Sequence, residues 1–120
     1  MSGLTVDLIR LGLNAASLRH QAAASNIANA AVPGYKRLSV SFEDQLADQL
    51  SAVRQPDGLI GDLPAGVSPV LQEAATAGGE VALDVEVANM SQNVLRYETL
   101  VKGLSKHFSI LSTAINEGKR

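Results

Sequence analysis

Along residues 4–29 the seam positions fall alternately four and three apart: Leu4, Leu8, Leu11, Ala15, Leu18, Ala22, then Ser25 and Asn29. That spacing marks a heptad seam on a helix. The seam shrinks from leucine to alanine and turns polar at its end. Small side chains let another backbone approach closely. The closing pair Asn26 and Asn29 can hydrogen-bond across an interface or to the helix terminus. Val32-Pro33-Gly34 then breaks the pattern, because proline disfavours helical geometry at Val32 and Pro-Gly suits the middle of a type II turn.

A second seam is longer. Leu83, Val87, Met90, Val94, Tyr97, Val101, Leu104, Phe108, Leu111 and Ile115 keep the same spacing without a lapse. Asp84 and Glu86 lie near its start, and Lys102, Lys106 and His107 in its second half, a polarity that suits the helix dipole. Glu98 and Lys102 are expected to form an i,i+4 ion pair worth about 0.3 kcal/mol. Gly118 is the expected stop.

Between the seams, Leu38, Val40 and Phe42 alternate as a short strand would. The same region also reads as a short helix over 42–53, capped by Ser41, with Phe42, Leu46, Leu50 and Val53 on one face. From Gln55 to Glu80, prolines at 56, 64 and 69 and glycines at 58, 61, 66, 78 and 79 forbid long regular elements and predict loop or irregular strand, with Gly78-Gly79 as a hinge.

The expected fold is all-α. Two long antiparallel, coiled-coil-like helices at the N- and C-terminal ends are joined by a loop-rich, partly extended middle. Its parts are a helix and Pro-Gly turn over 1–35, the middle segment over 36–80, and a helix over 81–118. Each helix of a two-helix pair has only one contact face, and a chain of 120 residues buries a modest share of its surface. The isolated chain is therefore expected to be marginal or partly disordered. Ile9, Leu13, Ile27, Leu95, Leu100 and Ile110 would then be surfaces awaiting other subunits.

Composition removes several function classes. A net charge of −2 gives no electrostatic case for binding nucleic acid or an anionic membrane. The chain has no cysteine, hence no disulfide and no thiolate metal site. No apolar run reaches the length of about 18 residues that would suggest a membrane span. The first twenty residues lack a basic start, an apolar block and a small-residue cleavage site, so no cleaved secretion signal is expected.

Phosphate-binding glycine loops, HExxH and GxSxG are all missing. His20 and His107 fall on separate helices without an acidic partner at ligand spacing, so they read as solvated or interface residues. No catalytic, cofactor-binding or metal residue is expected, and no enzyme. Met90 and Phe108 read as seam packing, as does Tyr97 with its hydroxyl wet.

Residues 24–37, ASNIANAAVPGYKR, resemble the N-terminal signature of the bacterial flagellar axial proteins, the rod and hook group. That signature runs A-x-N-[IL]-A-N-x-x-[TV]-P-G-[YF]. Ala24, Asn26, Ile27, Ala28, Asn29, Pro33, Gly34 and Tyr35 match it. Val32 stands where threonine is usual, and Ala30-Ala31 replaces a more polar pair. The run LRYETLVKGLSKHFSILSTAI at 95–115 resembles the ending of the proximal-rod members. The chain is also short, whereas hook and distal rod proteins carry large inserted domains. The likeness covers residues 1–54 and 81–117.

It implies a structural subunit of the basal-body rod in the periplasm, exported unfolded through the flagellar type III apparatus without a cleaved signal. Such subunits polymerise helically, with like and related chains, through their terminal helices and transmit torque. The implied partners are other rod proteins, the adaptor between rod and MS ring, and the export gate. Phe42 to Leu46 resembles an F-x-x-x-apolar docking motif for that gate, and is equally one face of the short helix. A reading from another class is a soluble helical adaptor or export chaperone working as a small oligomer. That protein would fold alone as a stable dimer and would tolerate change at Asn26, Asn29 or Gly34.

Overall fold

A computed structural model describes residues 2–53, 66–74 and 81–118. In chain order the elements are α1 (Ser2–Ala28), β1 (Leu38–Ser41), α2 (Glu43–Val53), β2 (Val70–Glu73) and α3 (Leu83–Gly118). The fold is mostly helical, with long N- and C-terminal helices and a small two-stranded sheet in the middle. The loop expected over 55–65 and 75–80, the Gly78-Gly79 hinge, and the side chains of Leu4, Leu50 and Val53 lie outside the described residues.

α1 and α3 run antiparallel. Gly12 lies against the Leu100 side chain, Asn93 donates to the Ala16 carbonyl, and Asn26 donates to Glu86. On α1 the buried face is a stripe of Ala15, Ala16, Ala22 and Ala23. These residues have no long side chains to hold the second backbone away, as their spacing leads one to expect. A Cβ added to Gly12 would stand 3.1 Å from Leu100 Cδ1, so that crossing is tight.

β1 and β2 pair antiparallel, with Leu38 opposite Glu73 and Ser41 opposite Val70, and they pack on α1. Both readings of residues 38–53 hold in succession: a strand to Ser41, then a helix from Glu43. Ser41 is not the cap. It closes the strand, and its hydroxyl accepts from the Gln45 side chain at 3.1 Å. The Phe42 carbonyl takes the first helical bond, from Leu46 N–H at 2.9 Å. The Phe42 side chain turns inward and forms a small cluster with Ala15 and Val67, against which Leu11, Val40 and Leu46 pack.

Little else is enclosed. Among the described residues, the buried apolar side chains are those four alanines, Phe42 and Val67. The radius of gyration is 18.2 Å, against about 14 Å for a compact chain of this length. At about 1.5 Å per residue, α3 with its 36 residues runs roughly 54 Å and sets the long dimension of 65 Å.

The seam reading of α3 needs one correction. The column facing α1 contains Glu86, Asn93 and Leu100, not Val87, Val94 and Val101. Met90 and Leu104 remain half-buried beside that column. Leu83, Val87, Val94, Tyr97, Val101, Phe108, Leu111 and Ile115 are exposed, Phe108 at 52% and Ile115 at 59%. Phe108 is therefore not core in this chain. Its ring meets His107 edge-on, with centroids 6.0 Å apart. Of the residues expected as additional surface, Leu95 and Ile110 are exposed, while Ile9, Leu13, Ile27 and Leu100 are half-buried.

The ion pairs among the described residues are Arg19–Glu43, Lys36–Glu73 and Arg37–Glu86. The expected Glu98–Lys102 pair is not formed. An exposed pair gains too little to offset the entropy of fixing two long side chains.

Candidate functional site

Among the described residues, the signature stretch is densely hydrogen-bonded. α1 ends in steps. Asn29 N–H still reaches the Ser25 carbonyl at 3.0 Å, and the Asn29 side-chain amide donates to the same carbonyl at 2.8 Å. The side chain thereby satisfies one of the acceptors that a helix end leaves open. Tighter bonds follow, from Ala30 to the Ile27 carbonyl and from Val32 to the Asn29 carbonyl. Tyr35 N–H then closes a turn onto the Val32 carbonyl at 3.2 Å, with Pro33 and Gly34 between. Gly34 has φ +77°, the left-handed value that a type II turn demands at that position.

The turn throws β1 back across the end of α1, where Asn26 meets it. Asn26 is 1% exposed. Its Oδ1 accepts from Leu38 N–H at 2.8 Å and from the Tyr35 hydroxyl at 3.0 Å. Its Nδ2 donates to the Leu38 carbonyl at 3.0 Å and to Glu86 Oε2 at 3.2 Å. The side chain thus pairs with both backbone groups of Leu38 as a neighbouring strand would. Tyr35 also lies 2.8 Å from the Ser25 hydroxyl.

Glu86, 2% exposed, joins this cluster from the first turn of α3 and is ion-paired to Arg37. One buried cluster therefore ties together the end of α1, the turn, the first residue of β1 and the start of α3. Of the two asparagines, Asn26 bonds across to other elements and Asn29 bonds to its own helix end. Ile27 is half-buried, and Ala28, Pro33 and Gly34 face outward.

A second polar link sits beside Phe42. Arg19 on α1 pairs with Glu43, the first residue of α2. Partial burial pushes the Glu43 carboxyl upward. The hydrogen bond from Arg19, a backbone hydrogen bond, and the charges of Arg19 and Arg96 outweigh it, holding its pKa below the ordinary 4.5.

Away from the cluster the surface is open. A groove of about 640 Å³ runs between α1 and α3, lined by Ala16, His20, Asn93, Val94 and Tyr97 among others. His20 lies at this groove on α1. His107 lies further along α3 and is half-buried. Tyr97 is half exposed. Nothing in the sequence marks Glu86 as the partner of Asn26. Its hint is a carboxylate at seven-residue spacing from Asn93 on the buried column, visible only once the facing side of α3 is known.

The family described as "Flagella basal body rod protein" matches residues 10–36, the stretch that builds the cluster and turn. A flagellar basal body rod protein FlgB of Borrelia hermsii is 30% identical over 129 residues, covering 93% of this chain and 96% of its own length. The chain belongs to the FlgB family of basal body rod proteins. The FlgB protein of Bacillus subtilis (strain 168) is 27% identical, covering 96% of this chain and 95% of its own length. That of Cereibacter sphaeroides is 31% identical over 88% of this chain.

Membership makes the chain a structural subunit of the flagellar basal body rod, with other flagellar components as its partners. These FlgB relatives are named as rod proteins, not as enzymes. Among the described residues no helix is long and apolar enough to cross a membrane.

Proposed function

We propose that this FlgB-family chain polymerises helically in the proximal rod, with copies of itself and with related rod chains, and transmits torque through contacts between neighbouring helices. The observation that carries this is the bare ridge on α3. Val87, Val94, Val101, Phe108 and Ile115 repeat along one side of the helix and lie open to solvent in the single chain. Contiguous apolar surface of this length marks an interaction face, and head-to-tail packing in a helical array gives each copy the same neighbours. On α1, Leu8 is exposed and Leu18 half-buried, and these supply the adjoining surface, whereas Leu11 packs on the Phe42 cluster.

The signature residues Asn26, Ile27, Ala28, Asn29, Pro33, Gly34 and Tyr35 then fix where the inner helix stops and the chain turns outward. The proximal position places the chain beside the adaptor that meets the MS ring. Delivery is through the type III export gate. In the fold, Phe42 is buried and Leu46 packs on its cluster. A gate that reads Phe42 to Leu46 therefore reads the unfolded chain.

The test is complementation of a strain lacking this gene with Val101→Asp combined with Phe108→Asp. The expected result is a purified chain of unchanged helicity, together with loss of motility and of rod in isolated basal bodies. Motility and rods intact in that variant would overturn the reading. A purified chain forming a stable small oligomer, absent from basal bodies, would favour a soluble adaptor instead.

A further inference from the structure

We infer that Glu86 and Asn93, acting through their unlike partners on α1, are positioning residues that set the register of α3 against α1. The ridge on α3 cannot set it. Apolar side chains recur there every seven residues, so sliding α3 by one heptad, roughly 10 Å, replaces valine by valine at two of the positions 87, 94 and 101.

The column that faces α1 is different in kind. It reads Glu86, Asn93 and Leu100, one heptad apart. The opposing column on α1 carries Asn26, Arg19 and Gly12 at the same interval. Each layer pairs differently. Glu86 meets Asn26 and Arg37, with 2% and 1% exposure for Glu86 and Asn26. Asn93, 5% exposed, donates to the Ala16 carbonyl at 2.6 Å beside Arg19. Leu100 covers the bare backbone of Gly12.

Sliding one way carries Glu86 past the end of α1 towards Pro33 and sets Leu100 against Arg19. Sliding the other way brings Glu86 to Arg19, which already holds Glu43, and strips Asn26 and Arg37 of their carboxylate. Either slide takes the Glu86 carboxylate away from Asn26 and Arg37, a loss that the indifferent ridge does not recover, whereas Asn93 Oδ1 has no partner in the native register either. A single buried polar layer is known to fix register in helical pairs. Here successive unlike layers act together. The register in turn decides which stretch of ridge α3 presents.

The test uses the full chain, which has no native cysteine. Asn14→Cys and Ser105→Cys are exposed and lie off both facing columns. Spin labels at these sites report the axial offset of the helices by electron–electron distance measurement, since a slide in either direction changes their separation. The native background is expected to give one distance. Adding Glu86→Leu and Asn93→Leu is expected to keep helicity and to raise a second distance from below detection to about one molecule in ten or more.

A single distance in the levelled chain would overturn the inference, as would a native background already spread over both. Collapse of helicity in the levelled chain would do so too, because apolar layers should still pair. Asn93→Leu alone, with Glu86 kept, is expected to give an intermediate spread, and no spread there would leave Glu86 as the sole determinant. This readout needs no rod. Its failure would leave the assembly reading standing, and a motile Val101→Asp/Phe108→Asp strain would leave the register untouched.

Discussion

The two ends of the helix pair are built to opposite rules. Where α1 finishes and α3 begins, polar side chains are buried and matched: Asn26 alone makes hydrogen bonds to Leu38, Tyr35 and Glu86. Along the second half of α3, apolar side chains stand partly in water, Ile110 and Ile115 at 59% exposure. A polar cluster is complete only when every partner is in place, so it belongs inside one chain, where geometry is fixed. An apolar ridge asks only for another apolar surface, so it can be left for a neighbour. The contrast separates what the chain must settle alone from what it leaves to assembly.

The sharpest way to break the closed end is Asn26→Leu. It removes four hydrogen bonds and strands both backbone groups of Leu38. We expect a loss of about 4 kcal/mol, at about 1 kcal/mol per bond, read as a large fall in the urea midpoint of the helical far-ultraviolet signal. Arg37→Ala comes next, at about 3 kcal/mol, because it leaves the buried Glu86 without its cation. Glu86→Leu is expected to cost less than Arg37→Ala, since Arg37 is partly exposed and reaches water. Equal losses in that pair of denaturation curves would contradict the asymmetry.

Gly34→Ala should cost about 1 kcal/mol. Nothing lies within 4 Å of the added Cβ, so the penalty is that of placing alanine at φ +77°. A loss near zero would mean the turn readjusts. The Arg19–Glu43 pair gives a smaller, pH-dependent effect. The folded-state pKa of Glu43 is lowered, so its contribution is present above the ordinary 4.5 and fades as pH falls through the lower folded value. Glu43 is largely exposed, which limits the effect to a few tenths of a kcal/mol. It should appear as a difference between the native chain and Glu43→Gln that is present at neutral pH and disappears in acid. Last, Val101→Asp should leave the isolated chain within about 0.5 kcal/mol of the native one, while abolishing rods in basal bodies. That pairing of outcomes is the mirror image of Asn26→Leu.

Much of the closed end is legible from residue order alone. Pro33-Gly34 specifies its own turn, and the small seam residues Ala15 and Ala22 announce close approach, while Ala16 and Ala23 join them only in the fold. The length of α3 follows from an unbroken heptad. The side of α3 that meets α1 does not follow, because a heptad pattern records all the burial a helix will experience, from its own chain and from others. The dominant apolar ridge points away from α1, and the intrachain face hides behind Glu86 and Asn93, residues usually assigned to solvent. β2 was hidden for another reason. Val70 to Glu73 follow Pro69 in a Pro/Gly-rich stretch, and only pairing with Leu38 to Ser41 makes a strand of them.

The bond between Asn26 and Glu86 joins residues 60 positions apart. A polypeptide that emerges N-terminus first, from a ribosome or through a narrow pore, presents Asn26 long before its carboxylate arrives. Until residue 86 appears, the leading portion lacks the carboxylate that completes this cluster.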